Sequence, residues 1–133
     1  MVDRWEHRTV KIREVVFDCH HPAALARFWA RLLDGFDVRP YDDEEVARLA
    51  SLGLTPETDP GVMVDGPGLK LGFQKTDPAP VAKNKVHLDL TVGNLDEAIA
   101  DAVAIGATVV QRFDESAWLR DPEGNDFCMT EWE

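Results

Sequence analysis

The sequence predicts one α+β domain made of two β-α-β-β-β halves, and three observations carry that reading. The chain has 133 residues and 44% apolar side chains, enough for one core. Strand-like alternation and helix-like spacing follow one another in the same order in both halves. A proline-rich polar stretch, Asp77-Pro78-Ala79-Pro80-Val81-Ala82-Lys83-Asn84, lies between them and suits a connector rather than a ladder strand.

Val15 to Cys19 reads as the first strand. Pro22 then suits the first turn of a helix, where its missing N–H is not needed. Leu25, Phe28, Trp29, Leu32 and Leu33 form a wide apolar stripe, so Trp29 belongs to the core, and Gly35 ends the helix. Strand-like runs follow from Phe36 to Tyr41, Gly61 to Val64 and Leu69 to Gln74. Between the first two, residues 43–54 add a short helix, because Val46, Leu49, Ala50 and Leu54 repeat at helical spacing after Asp42-Asp43-Glu44-Glu45. This helix is an insertion in the first module and a candidate lid.

The second half opens on the clearest strand, Val86 to Val92. Val86, Leu88, Leu90 and Val92 fall on one face, and His87, Asp89 and Thr91 on the other. Asn94 can cap the next helix with Glu97 as its capping-box partner, Leu95, Ile99, Ala102 and Val103 recur at helical spacing, and Gly106 closes it in the left-handed conformation. Runs from Thr108 to Phe113, Ala117 to Arg120 and Asp126 to Trp132 complete the pattern. The expected division of the single domain, 1–133, is module 1 over about 10–76, a linker over 77–84 and module 2 over about 85–133.

Charge and motifs exclude several function classes. A net charge of −11 repels phosphate backbones and anionic lipid, so neither nucleic acid nor membrane is an expected partner, whereas a cationic ligand would suit it. No run approaches the roughly 18 apolar residues of a membrane helix, and the charged opening Met1-Val2-Asp3-Arg4-Trp5-Glu6 lacks a signal-peptide core. The expectation is a cytoplasmic protein in which Cys19 and Cys128 stay thiols and serve as small buried hydrophobes. There is no phosphate loop, serine-nucleophile elbow, CxxC pair or HExxH helix.

Three separated motifs in one order suggest a family: the helix with Phe28-Trp29 and Leu32-Leu33-Asp34-Gly35, the strand Lys83-Asn84-Lys85-Val86-His87-Leu88-Asp89-Leu90, and the turn Asp121-Pro122-Glu123-Gly124-Asn125. From about Ile12 to its C-terminus the chain resembles a glyoxalase-like domain of the vicinal oxygen chelate superfamily, which includes glyoxalases, bleomycin-resistance proteins and dioxygenases. The resemblance implies that the paired modules curl a mixed sheet into a cup. It also implies a divalent metal held by one ligand from each of four strands, with zinc, nickel, manganese, magnesium and iron as candidates, and a homodimer.

Carried over residue by residue, the resemblance places a histidine ligand at His87 and the last-strand ligand at Cys128, where the family has glutamate. Gln74 best matches the ligand that ends the first module. Glu14 takes the remaining place if the modules are aligned by their helix starts, and Val16, which cannot bind metal, takes it if they are aligned by their terminating glycines. A set of Glu14, Gln74, His87 and Cys128 mixes hard and soft donors, although thiolate with imidazole suits zinc.

His87 can be a metal ligand, the catalytic acid or base, or a hydrogen-bonded core histidine. Asp89 shares its face and Asp18 holds the comparable place in the first half, so both are candidate substrate-binding carboxylates; the competing role is pairing with backbone or Lys/Arg groups. Trp118 and Trp132 can line an apolar ligand pocket or pack in the core. His20 and His21 suit helix capping or solvent, and His7 lies in a polar N-terminal segment. Two function classes compete: an enzyme of lyase or isomerase type acting on an oxygenated small molecule, and a non-catalytic module that sequesters a drug or metabolite as bleomycin-resistance proteins do. A structural or regulatory partner domain has no positive feature in the sequence.

Overall fold

The computed structural model describes residues 12–76 and 87–131. Along them run β1 (Val15–Cys19), α1 (Pro22–Leu32), β2 (Asp37–Val38), α2 (Asp43–Ser51), β3 (Gly61–Gly66) and β4 (Leu69–Lys75). After residue 86 come β5 (Leu88–Val92), α3 (Leu95–Ala104), β6 (Thr108–Arg112), β7 (Ser116–Arg120) and β8 (Asp126–Glu131). The linker, Val86 and Trp132 lie outside the described residues.

The strands form two four-stranded sheets, ordered β1-β4-β3-β2 and β5-β8-β7-β6. In each, the first and last strands of the module pair in parallel and the remaining pairs are antiparallel. The two sheets therefore repeat one connectivity, and neither is closed into a barrel. The fold is α+β, with two β-α-β-β-β modules in an open, cup-like arrangement.

Local rules account for most element ends. Pro22 occupies the first turn of α1, and the Asn94 side chain accepts the Glu97 N–H at 3.0 Å to cap α3. The insertion helix is shorter than its apolar spacing suggests. It ends at Ser51 because the Gly53 and Leu54 N–H groups turn back onto the Ala50 and Leu49 carbonyls, with Gly53 at φ 76°. Strand β2 is shorter still: Arg39 donates once more to the Met63 carbonyl at 2.9 Å, and Pro40 then has no N–H to continue the ladder.

Helix α1 joins the modules. Its Leu25, Phe28 and Trp29 are buried against β3 and β4, and Trp29 also meets Phe127 of β8 edge-on, with ring centroids 5.1 Å apart. Trp29, Phe73 and Phe127 are all at most 1% exposed. Burying each such side chain contributes about 1.5–3 kcal/mol. In α3 the stripe is only partly covered, since Leu95 and Ala102 are buried while Val103 is 47% exposed.

The turn 121–125 is a clamp between modules. Asp121, 3% exposed, accepts the Glu123 and Asn125 N–H groups, the Asn125 amide and the Trp29 indole N–H, all at 2.8–2.9 Å. The Glu123 carboxylate reaches the His20 and His21 N–H groups at 2.5 and 2.9 Å. Those amides precede α1, where His21 gives no side-chain cap, so the second module supplies the acceptor at the start of the first module's helix.

Candidate functional site

The face of the second sheet opposite its buried Leu119, Phe127 and Met129 carries a row of side chains across all four strands. Asp89 of β5 pairs with Cys128 of β8, Cys128 with Trp118 of β7, and Trp118 with Gln111 of β6. The β6 register shifts between Val109 and Gln111, which brings Gln111 opposite Trp118. His87 lies one residue before β5, and its Nε2 is 3.2 Å from the Asp89 Oδ1. Both remain open to solvent, with side chains 49% and 73% exposed.

Among the described residues, His87, Asp89 and Cys128 form a group whose ligand-type atoms all lie within 4.8 Å of one another. Two donors on one ion can be at most twice a bond of about 2.0–2.3 Å apart, so a shift of a few tenths of an ångström would let a single ion reach all three. Imidazole, carboxylate and thiol together suit a zinc-type ion, and three protein donors would leave a position for a ligand oxygen. Burial and the Asp89 and Asp126 charges push the Cys128 thiol up, and a cation would reverse that field.

Trp118 is held as a wall beside this group. Its indole N–H donates to Asp126 at 2.9 Å, Arg120 donates to the same carboxylate oxygen at 3.1 Å, and the guanidinium lies 5.4 Å from the ring centroid.

The first sheet presents a different row. Val16 of β1 pairs with Gly72 of β4, and Gly72 with Met63 of β3, on the face away from α1. Gly72 contributes no side chain; a Cβ there would meet Val16 Cγ2 at 3.4 Å and the Glu14 Oε2 at 3.5 Å. The result is a hollow of about 450 Å³ edged by Glu14 and Gln74. Asp18 is exposed on β1 and pairs with Gln74.

The two modules can be laid over each other strand for strand. Strands β1 and β5 each have five residues, and each ends at the same interval before its helix cap, Cys19 before His21 and Val92 before Asn94. Glu14 then falls on His87 and Val16 on Asp89. Because Val15 pairs with Leu71 and Leu88 with Phe127, Gly72 falls on Cys128 and Gln74 on Thr130. The distance to the terminating glycine differs between modules because α1 is longer, 11 residues against 10, and Gly35 lies further beyond its helix than Gly106 does.

Of the residues singled out in the sequence, then, His87, Asp89 and Cys128 gather on the second sheet, with Trp118 next in the row. Asp18 and Gln74 lie on the first sheet, Glu14 precedes its strand β1 by one residue and is not in the ligand group, and Trp132 lies outside the described residues. Gly72 and Met63 escaped the sequence reading. A glycine inside an apolar strand run was the available signal for Gly72, since it weakens a strand unless space is needed above it.

A family model described as a glyoxalase-like domain matches residues 14–130. A glyoxalase/bleomycin resistance protein/dioxygenase family enzyme from Burkholderia phytofirmans PsJN is similar in structure, with a TM-score of 0.67, 19% identity, and coverage of 92% of this chain and 98% of that one. A genomically encoded fosfomycin resistance protein, FosX, from Listeria monocytogenes has a TM-score of 0.65 at 11% identity, covering 95% and 94%. A glyoxalase/bleomycin resistance protein from Albidiferax ferrireducens T118 has a TM-score of 0.55 at 18% identity, covering 92% and 98%. A search of curated proteins finds no match. At these identities the solved structures speak for the fold, and the family match spans nearly the whole chain: the protein belongs to the glyoxalase-like domain family of the vicinal oxygen chelate superfamily.

Proposed function

We propose that the protein is a small-molecule enzyme of lyase or isomerase type whose reacting centre is His87, Asp89 and Cys128. The observation that carries this reading is the gathering of those three donor groups within 4.8 Å on the open face of the second sheet. His87, Asp89 and Cys128 would hold a divalent, zinc-type ion. Such an ion, when bound, supplies Lewis-acid polarisation of a substrate oxygen and stabilises an anion formed beside it. His87 Nε2 and Asp89 Oδ1, 3.2 Å apart, are spaced as two donors to one such ion would be, and the held Trp118 ring gives the ligand an apolar wall that excludes water on that side.

Metal analysis of protein purified without chelator tests this. One zinc-type ion per chain, lost in both His87→Ala and Cys128→Ala, is the expected result. Cobalt substitution should give a thiolate charge-transfer band that Cys128→Ser removes. Metal-free protein that retains tight small-molecule binding would overturn the proposal in favour of sequestration. That second reading is favoured by the first-sheet row, where Val16 and Gly72 stand at the places equivalent to Asp89 and Cys128 and leave a hollow instead of donors.

Two further parts of the reading are a homodimer and a cytoplasmic setting in which both thiols stay reduced. Strand β6 ends its sheet and carries exposed Val109 and Val110, which supports association through that edge. Among the described residues no helix is long and apolar enough to cross a membrane. Sedimentation that gives a monomer mass at micromolar concentration would sink the dimer.

A further inference from the structure

The insertion containing α2 has no counterpart in the second module, where only a short turn separates β6 from β7. Where the insertion meets the first sheet there is a second hollow of about 340 Å³. Its walls are Arg39 and Tyr41 after β2, Asp42 and Glu45 at the start of α2, and Asp59 before β3. Gly61 and Met63 line this hollow and also the one over Gly72. They are alternate residues of β3 and so share one face, which makes the two hollows neighbours along that face.

We propose that the two hollows form one ligand groove, the Gly72 end taking an apolar stem and the α2 end taking a cationic amine or quaternary ammonium head. This rests on the reading that the cup binds a small molecule, and it is independent of the chemistry assigned to His87. The stem's surface is mostly apolar and uncovered, with the Glu14 carboxylate and Gln74 at its edge: Val16 is 46% exposed beside Met63 and Gly72. A ligand stem would remove that area from water.

The sign of the head follows from the charges around the second hollow. Arg39 is neutralised by Asp65 through bonds of 2.7 and 3.0 Å, and Glu45 by Arg48 through a 2.6 Å contact. Asp42 and Asp59 form no ion pair among the described residues. Asp42 accepts the Glu45 N–H, and Asp59, only 7% exposed, accepts the Tyr41 hydroxyl at 2.7 Å and the Gly61 N–H at 3.0 Å. Burial first, then the Asp59 hydrogen bond and the Asp59 and Glu45 charges, push the Tyr41 phenol up. An anion would meet the Asp42 and Asp59 carboxylates, which the α2 N-terminus capped by Asp42 and the Arg48 charge near Asp59 offset only in part, whereas an ammonium group would meet those carboxylates and an aromatic side chain, in a chain of net charge −11.

The 133-residue chain reports on this directly, because Tyr41 is its one tyrosine and Met63 is one of three methionines. With methionine methyls labelled, hexyltrimethylammonium is titrated against hexanesulfonate, which has the same stem and the opposite charge. The expected result is a saturable shift of the Met63 methyl and the Tyr41 ring with the ammonium compound only, while Met129, buried at 2% exposure, stays in place. Asp59→Asn should weaken binding about tenfold through loss of a charged partner. Gly72→Leu should weaken it about tenfold or more by filling the floor. An unchanged Met129 methyl certifies that each variant is folded, and Glu45→Gln, on the helix surface, gives a second reduction of charge that spares the buried Asp59. Equal affinity for the sulfonate, or an unmoved Met63 methyl at saturating probe, overturns the proposal. His87→Ala should bind the probe as the parent does; if metal still binds at His87 while Met63 never moves, the groove fails and the reacting centre stands.

Discussion

Replacing Asp121 with alanine removes one carboxylate and four hydrogen bonds together. The donors are the Trp29 indole N–H, the Asn125 side-chain amide, and the Asn125 and Glu123 backbone N–H groups. Trp29 is 0% exposed, so its N–H would be left in the core at a cost of about 1–3 kcal/mol, and each lost backbone bond adds about 1 kcal/mol. The expected loss is about 3–5 kcal/mol, a large part of the roughly 5–15 kcal/mol that holds a domain of this kind together. Urea unfolding at neutral pH measures it. Because Trp29 and Asp121 touch, Trp29→Phe and Asp121→Ala should couple by at least about 0.5 kcal/mol in a double-mutant cycle. A loss below about 1 kcal/mol, or strict additivity, would refute the clamp as a major contributor. The pH dependence supplies a second readout. Burial raises the Asp121 pKa above the ordinary aspartate value of 3.8, against the lowering effect of the bonds from Asn125, Trp29 and Glu123. The folded state therefore holds this proton more tightly than the unfolded chain. The associated stability is full below 3.8 and is lost as pH rises through the folded-state value, so the stability advantage of the parent over Asp121→Asn should shrink with rising pH across that range.

Other perturbations test separate parts of the structure. Gly66→Ala should destabilise by about 1–3 kcal/mol, because a Cβ there would overlap the Phe36 ring; Phe36→Ala in the same chain should remove most of that penalty, measured by denaturant midpoint. Asn94→Ala should cost about 1 kcal/mol through loss of the α3 cap, while Asn94→Asp, which keeps the acceptor, should cost little. Burial, followed by the Glu123, Asp121 and Asp18 charges, pushes the Cys19 thiol up to about 12. A thiol reagent at neutral pH should therefore modify one cysteine, Cys128, in the native protein and both in urea; prompt labelling of Cys19 in the native state would contradict its burial at 0% exposure.

What could be read from the sequence is what short-range stereochemistry controls. Alternation around Leu88, Asp89 and Leu90 assigned a strand and its two faces, Asn94 announced a helix start, and the repeated order of elements announced the paired sheets, because each signal depends on residues only a few positions apart. The same rules misjudged extent: helical spacing put Val103 in an apolar stripe, but it cannot say how far the underlying sheet reaches, and Val103 stays 47% exposed.

Tertiary structure alone decided which distant residues meet. Strand register put Gly72 rather than Gln74 at the place equivalent to Cys128, and brought Asp89, Cys128 and Trp118 into one row. Chain closure joined the Trp29 indole to Asp121 across 92 residues and set the α2 insertion beside Met63. A shift of one residue in any of those pairings would turn the side chains to the other face of the sheet, and such a choice is made by the packing of both modules together rather than by any local run of sequence.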